Sequence, residues 1–174
     1  IAKCRALKKL SQKLFASMEL EHKLSIHAVT SQSGWTEEDP ESNILRATIS
    51  SIAAHWGGVD SLTCLPYDSL TGESSRRAIR IARNIPIILE KESHLGRVSD
   101  PLAGSYYIES YTNEIAERAW ALFQKVEALG GLDSVIESGA LRGELTEKVL
   151  SSDAEQKAVQ VSSDSASVSE ETLW

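Results

Sequence analysis

The chain has 174 residues, 41% of them hydrophobic, and a formal net charge of -7. That suffices for one ordinary core but falls short of the roughly 250 residues of a complete eight-stranded β/α barrel, so one domain or a piece of one is expected. The negative charge argues against a nucleic-acid or anionic-membrane surface, because a polyanion is repelled unless a concentrated basic patch receives it.

Residues 2–20 place Ala6, Leu7, Leu10, Leu14 and Met18 on one helical stripe, with the basic cluster "KCRALKKLSQK" as its solvated side. "LSIHAV" then alternates Leu24, Ile26 and Ala28 against Ser25, His27 and Val29, a strand pattern. After a glycine-containing loop, Asp39-Pro40 reads as a helix opening, with the aspartate as cap and the proline at the first helical position. That helix should run to about Trp56 and stop at Gly57-Gly58. "VDSLTCLP" reads as a second short strand.

"GESSRRAIRIARNIPIILEKES" predicts a third helix that Pro86 should bend or split near Arg83 and that Gly96 should close. "RVSDPLAGSYYIES" is expected to be a loop or a short strand, with Asp100 and Gly104 fixing a turn and Tyr106 and Tyr107 packing at its edge. From Thr112 to Leu129, Ile115, Ala119, Leu122, Phe123 and Val126 outline another amphipathic helix. "LDSVIESGALRGELTEKVL" is a last helix weakened by two glycines. Residues 151–174, serine-rich and acidic, have too few large apolar side chains to offset their ordering entropy and read as a disordered tail. The expected domains are therefore 1–150 and the tail 151–174.

Cys4 and Cys64 form no CxxC pair, so neither a disulfide framework nor a structural zinc site is supported, and a reducing compartment fits. His22, His55 and His94 lie far apart, with no carboxylate or cysteine at metal-ligand spacing. Arg76, Arg77, Arg80 and Arg83 offer either an anion patch or a solvated or interface face. No apolar run approaches the ~20 residues of a bilayer span, and no signal peptide is visible, so the expectation is a soluble cytoplasmic protein. The start at Ile1, without an initiator methionine, suggests a truncated or excised chain.

Helix, strand, helix, strand, helix at this spacing is the signature of parallel β/α units. About two such units cannot close a barrel, so their exposed edges call for more chain. Barrel interiors are ordinarily filled by Val, Ile and Leu, yet one face here offers Ser25 and His27 on the first strand and Ser61 and Thr63 on the second. Either this face is a lumen with room for an extended ligand, or it turns toward helices or solvent.

"DPESNILR", "GGVDSL", "RIARNIPIILEKES", "DPLAGSYYIE" and "AWALFQKVEALGG" occur in an order that resembles the C-terminal part of the barrel in adenosylcobalamin-dependent methylmalonyl-CoA mutases and related acyl-CoA mutases, over roughly residues 10–145. The resemblance implies a partial TIM-type (β/α)8 barrel whose axis admits the pantetheine arm of coenzyme A. It also implies isomerisation of methylmalonyl-CoA and succinyl-CoA by the whole enzyme.

In catalytic members, the positions of Ser25, His27 and Val29 carry Arg, His and Gln, so only His27 is kept. The second strand there carries a Gln-Ser pair and, beyond it, an Asn and a Glu for the adenosyl ribose; here stand Asp60-Ser61, Leu65 and Ser69. Loss of a bidentate arginine alone removes roughly 1.5–3 kcal/mol. "SGW" also falls two positions late, and "HAVTS" and "DSLTCLPYD" resemble the small, non-catalytic subunit of heterodimeric mutases. The resemblance therefore implies a catalytic large subunit as partner, adenosylcobalamin in the family but not on this chain, and His27 and Ser61 as candidate acyl-CoA-binding residues. His27 is open to three readings: an acyl-CoA contact, a vestigial lumen histidine, or a surface or core-satisfied one. The family's general-acid histidine and radical-controlling tyrosine match upstream segments, and its DxHxxG cobalamin motif does not occur here, so no catalytic residue is named. The rival readings are part of an active acyl-CoA mutase and a non-functional gene remnant.

Overall fold

The computed structural model describes residues 1–140; the end of the last expected helix and the tail 151–174 lie outside the described residues. Helix α1 spans Ala2–Ser17. Its apolar stripe is covered unevenly: Ala2 and Ala6 are buried and Leu10 and Leu14 half-buried, whereas Leu7 and Met18 are exposed. Strands β1, His27–Val29, and β2, Ser61–Thr63, pair in parallel with His27 opposite Ser61 and Val29 opposite Thr63.

Both strands are shorter than the alternation suggests. The Ile26 N–H donates to the Asp60 carboxylate at 2.9 Å instead of to a strand, so the ladder proper begins at His27. It carries on past Val29 as one further bond, from the Thr30 N–H to the Thr63 carbonyl.

Between the strands lies α2, Asn43–Trp56. The expected cap at Asp39 is corrected: its side chain makes no capping bond, and Pro40–Ser42 form a separate 3-10 turn. Proline suits the first position of such a tight turn, and the Asp39 backbone carbonyl accepts both the N–H and the hydroxyl of Ser42. At the other end Gly57 marks a close approach: a Cβ there would lie 3.3 Å from Cys4 Cβ of α1, which would have to give way by a few tenths of an ångström.

Helix α3, Arg76–Lys91, is capped by the Ser75 hydroxyl, which accepts from the Ala78 N–H. Pro86 neither splits nor ends it. One backbone bond is forgone, but burial of Ala78, Ala82, Ile85 and Leu89 along one side holds the helix on the core. Gly96 does not close α3; the helix ends at Lys91, His94 adopts a left-handed φ of 54°, and Gly96 sits in a 3-10 turn, Leu95–Arg97.

Asp100 does fix a turn, accepting from the Leu102 and Ala103 N–H groups. The segment after it is helix rather than strand: α4 spans Tyr106–Ala128. Tyr106 and Tyr107 are therefore exposed on the first turn of α4, with Tyr107 stacked on Tyr111 at 6.0 Å, instead of packing at a loop edge. The buried positions of α4 are Thr112 and Ala116. Helix α5, Gly131–Ser138, is bounded by Gly130 and Gly139, both with positive φ.

Two units result, Ile1–Ala121 and one that begins at Leu122. The first has its core in Trp35, Ala47, Ile85 and Leu89, joined by half-buried Ile44, Ile52, Leu65 and Leu70. In the second, Val135 of α5 is buried. The architecture is a helix-rich α/β arrangement with a two-stranded parallel sheet. Among the described residues no helix is long and apolar enough to cross a membrane.

Candidate functional site

Alternation along the strands decides which side chains meet. Ala28 and Leu62 are half-buried on one face, whereas His27, Val29, Ser61 and Thr63 are exposed on the other. The parallel register then sets His27 directly beside Ser61 and one residue pair below Thr63. The ring fills this space with hydrogen bonds at both nitrogens: Nδ1 lies 2.7 Å from Ser61 Oγ and Nε2 3.1 Å from Thr63 Oγ1. In a neutral imidazole one nitrogen donates and the other accepts, and a hydroxyl suits either role, so the three side chains satisfy one another. Ser25 is exposed and precedes the strand.

Asp60, next to this face, turns away from it. Its carboxylate accepts the Ile26 N–H and lies 3.2 Å from Lys8 Nζ of α1, and Lys8 also donates to the Gly58 carbonyl. The backbone bond from Ile26, with Lys8 second, holds Asp60 below the usual carboxylate range. At this position the side chain ties strand entry to α1.

Beyond the strand ends the polar groups are likewise used within the chain. Buried Thr30 accepts the Leu65 N–H on its hydroxyl, at 2.9 Å, and the Leu65 side chain packs against the core. Gln32 Nε2 donates to Ser69 Oγ at 2.6 Å, joining the loop after β1 to the loop after β2. Asn43, wholly buried at the start of α2, fills its bonding capacity: Oδ1 accepts from the Thr36 N–H and from Arg46, and Nδ2 donates to the carbonyls of Thr36 and Tyr67. The Cys64 thiol is pushed up by burial, opposed by hydrogen bonds with Ser51 and Thr30, which leaves it a poor nucleophile.

A nucleotide ribose is gripped by side-chain hydrogen-bond donors and acceptors directed at its hydroxyls. Leu65 supplies none, and the Ser69 hydroxyl is engaged with Gln32. Leu65 cannot grip an adenosyl ribose, while Ser69, which accepts from Gln32, keeps its O–H to donate. Among the described residues no three His, Cys, Asp or Glu side chains gather where a metal ion could be held. His22 lies against Phe15, and His55 Nε2 lies 3.0 Å from the Leu95 carbonyl oxygen.

A family model described as methylmalonyl-CoA mutase matches residues 1–166. The chain belongs to the methylmalonyl-CoA mutase family. It is similar to the methylmalonyl-CoA mutase of Cereibacter sphaeroides, at 44% identity over 116 residues, covering 67% of this chain and 16% of that protein. The methylmalonyl-CoA mutase small subunit of Propionibacterium freudenreichii subsp. shermanii is 45% identical over 111 residues, or 63% of this chain and 17% of the subunit. That of Porphyromonas gingivalis is 40% identical over 147 residues, or 82% of this chain and 24% of the subunit. The chain thus spans between about a sixth and a quarter of the length of these mutase relatives.

Sequence reasoning found His27, Ser61 and Thr63, and the structure brings these three together. It missed Thr30, Gln32 and Asn43. Only Asn43 left a trace, a polar residue in the apolar period of α2.

Proposed function

We propose that the chain is the C-terminal segment of the barrel of a small-subunit-type mutase, a partial TIM-type (β/α)8 barrel at residues 1–150, whose role is to support a catalytic large subunit in the cytoplasm. The observation that carries this reading is internal use of the polar groups: His27 is bonded at both ring nitrogens by Ser61 and Thr63, and Ser69 accepts from Gln32, while Leu65 joins the core. A surface selected to grip an acyl-CoA or a cofactor keeps such groups available. On this reading His27 and Ser61 form a vestigial lumen wall, adenosylcobalamin stays with the partner, and the parent's carbon-skeleton isomerisation is not performed by these residues. Exposed Leu45 and Ile49 on α2 support a larger body around the segment.

The test is co-expression of the tagged chain with a mutase large subunit. Recovery of both proteins in a pull-down, with a raised Tm for the large subunit, is expected; absence of association counts against the role.

A second reading, part of an active acyl-CoA mutase, is favoured by one observation: His27 and Ser61 remain adjacent and exposed. It predicts that the full-length parent binds adenosylcobalamin and changes its corrinoid absorbance with an acyl-CoA. A parent with no corrinoid binding at micromolar concentration ends that reading. The gene-remnant alternative predicts no cooperative thermal transition for the isolated chain.

A further inference from the structure

Helix α3 is covered on one side by Ala78, Ala82, Ile85 and Leu89, and its opposite side presents Arg76, Arg80, Arg83 and Ile87, all exposed, with exposed Arg77 alongside. Among the described residues none of these four guanidinium groups has an ion pair or side-chain hydrogen bond. Arg5, Arg46 and Arg118, by contrast, are each engaged.

The placement is unfavourable for an isolated helix. Arg76 and Arg77 stand in the first turn, at the positive end of the helix dipole; the turn itself holds no acidic residue, and the Asp68 carboxylate at this end is bonded to the Ser75 N–H. Arg76–Arg80 at i,i+4, with Arg77–Arg80 and Arg80–Arg83 at i,i+3, set like charges side by side. Solvation alone is better served by lysine, or by mixed charges. Arginine, weakly hydrated and able to hold a carboxylate with two bonds, is the cation found at protein interfaces.

The complementary surface is on the same chain. In "TEEDPE" Glu37, Glu38, Asp39 and Glu41 are all exposed, and among the described residues none makes an ion pair. The two patches are not joined to each other within one molecule. We propose that the outward face of α3 docks the 37–41 loop of a second copy of this chain, arginines against carboxylates, with Ile87 as the apolar contact between them. Such a contact can be made twice across a two-fold axis, each copy's α3 on the other's loop, and it is independent of the role proposed above.

The experiment is sedimentation of the full chain with a charge swap. In about 20 mM salt the average mass of the wild-type chain should rise above one copy as concentration increases, and it should return to one copy in about 0.5 M salt, where exposed pairs are screened. Arg76→Glu, Arg80→Glu and Arg83→Glu combined in one variant, and Glu37→Lys, Glu38→Lys and Asp39→Lys combined in another, should each remain single copies. Mixed, they should form a 1:1 complex.

A wild-type chain of one mass at every concentration in low salt overturns the proposal. So does a dimer that both variants retain, or a failure of the folded variants to pair on mixing. Should either charge-reversed chain misfold, Arg76→Gln, Arg80→Gln and Arg83→Gln combined gives the same test in milder form, with loss of association expected and its persistence decisive against. Binding of labelled single-stranded DNA at the α3 face, without self-association, would assign the arginines to another partner and equally overturn it.

Discussion

Asn43 and His27 each join two segments of chain by side-chain hydrogen bonds, yet they stand in opposite surroundings. Asn43 is fully enclosed, with its amide used on both sides to hold the Thr36 and Tyr67 backbones. His27 spans Ser61 and Thr63 on an exposed strand face, where water can replace any bond it loses. The contrast teaches that similar bonds carry different weight according to the solvent they exclude: removing a partner in the interior leaves an unsatisfied group, and removing it at the surface leaves a hydrated one.

The sharpest way to break this comparison is Asn43→Ala. It strands the Tyr67 carbonyl in a buried site and the Thr36 N–H and carbonyl in a half-buried one, and a loss of about 3 kcal/mol in unfolding free energy is expected from urea titration. A loss below about 0.5 kcal/mol would mean that water reaches the site, and the distinction between the two regions would collapse.

Next in size is the acid response. The Arg5 guanidinium, bonded to Asp100 at 2.7 Å and to Glu109 at 2.9 Å, holds the Asp100 carboxyl below the usual range, as Ile26 and Lys8 do for Asp60. Depressed folded-state values mean that these contacts stabilise the chain above the ordinary carboxylate value and cease to do so as pH falls through the folded ones. Thermal melts should therefore be level down to about pH 5 and decline below about pH 4. Arg5→Ala should flatten the part of that decline due to Asp100; an unchanged acid limb would show that this pair contributes nothing measurable.

The helices were largely legible because their apolar period is long enough to repeat several times. The errors arose where one local signal competed with another. Tyr106 and Tyr107 favour strands intrinsically, but the turn at Asp100 delivers them into α4, where Thr112 and Ala116 find cover. Pro86 looked like a break and is tolerated because three buried neighbours, Ala82, Ile85 and Leu89, hold both halves of α3 on the core. In α1 the apolar period marks the large residues for burial, whereas the buried positions are the small Ala2 and Ala6 and Leu7 and Met18 are exposed. The polar pair His27 and Ser61 could be found from alternation alone. Gln32 with Ser69 could not, since the partners are 37 residues apart and meet only once two loops have folded.

That Gln32–Ser69 bond, half-buried, falls between the extremes, and Ser69→Ala should cost about 1 kcal/mol. The smallest effect is expected at the strand face itself. His27→Ala removes two hydrogen bonds, but Ser61 and Thr63 remain hydrated and no apolar core is opened, so the change in unfolding free energy should stay within about 0.5 kcal/mol. A loss of more than about 1 kcal/mol in the same urea titration would place His27 with Asn43 as a structural clamp. In that case the retention of this histidine would be explained by strand pairing, and the idea that the face is a remnant of a ligand-holding wall would lose its support.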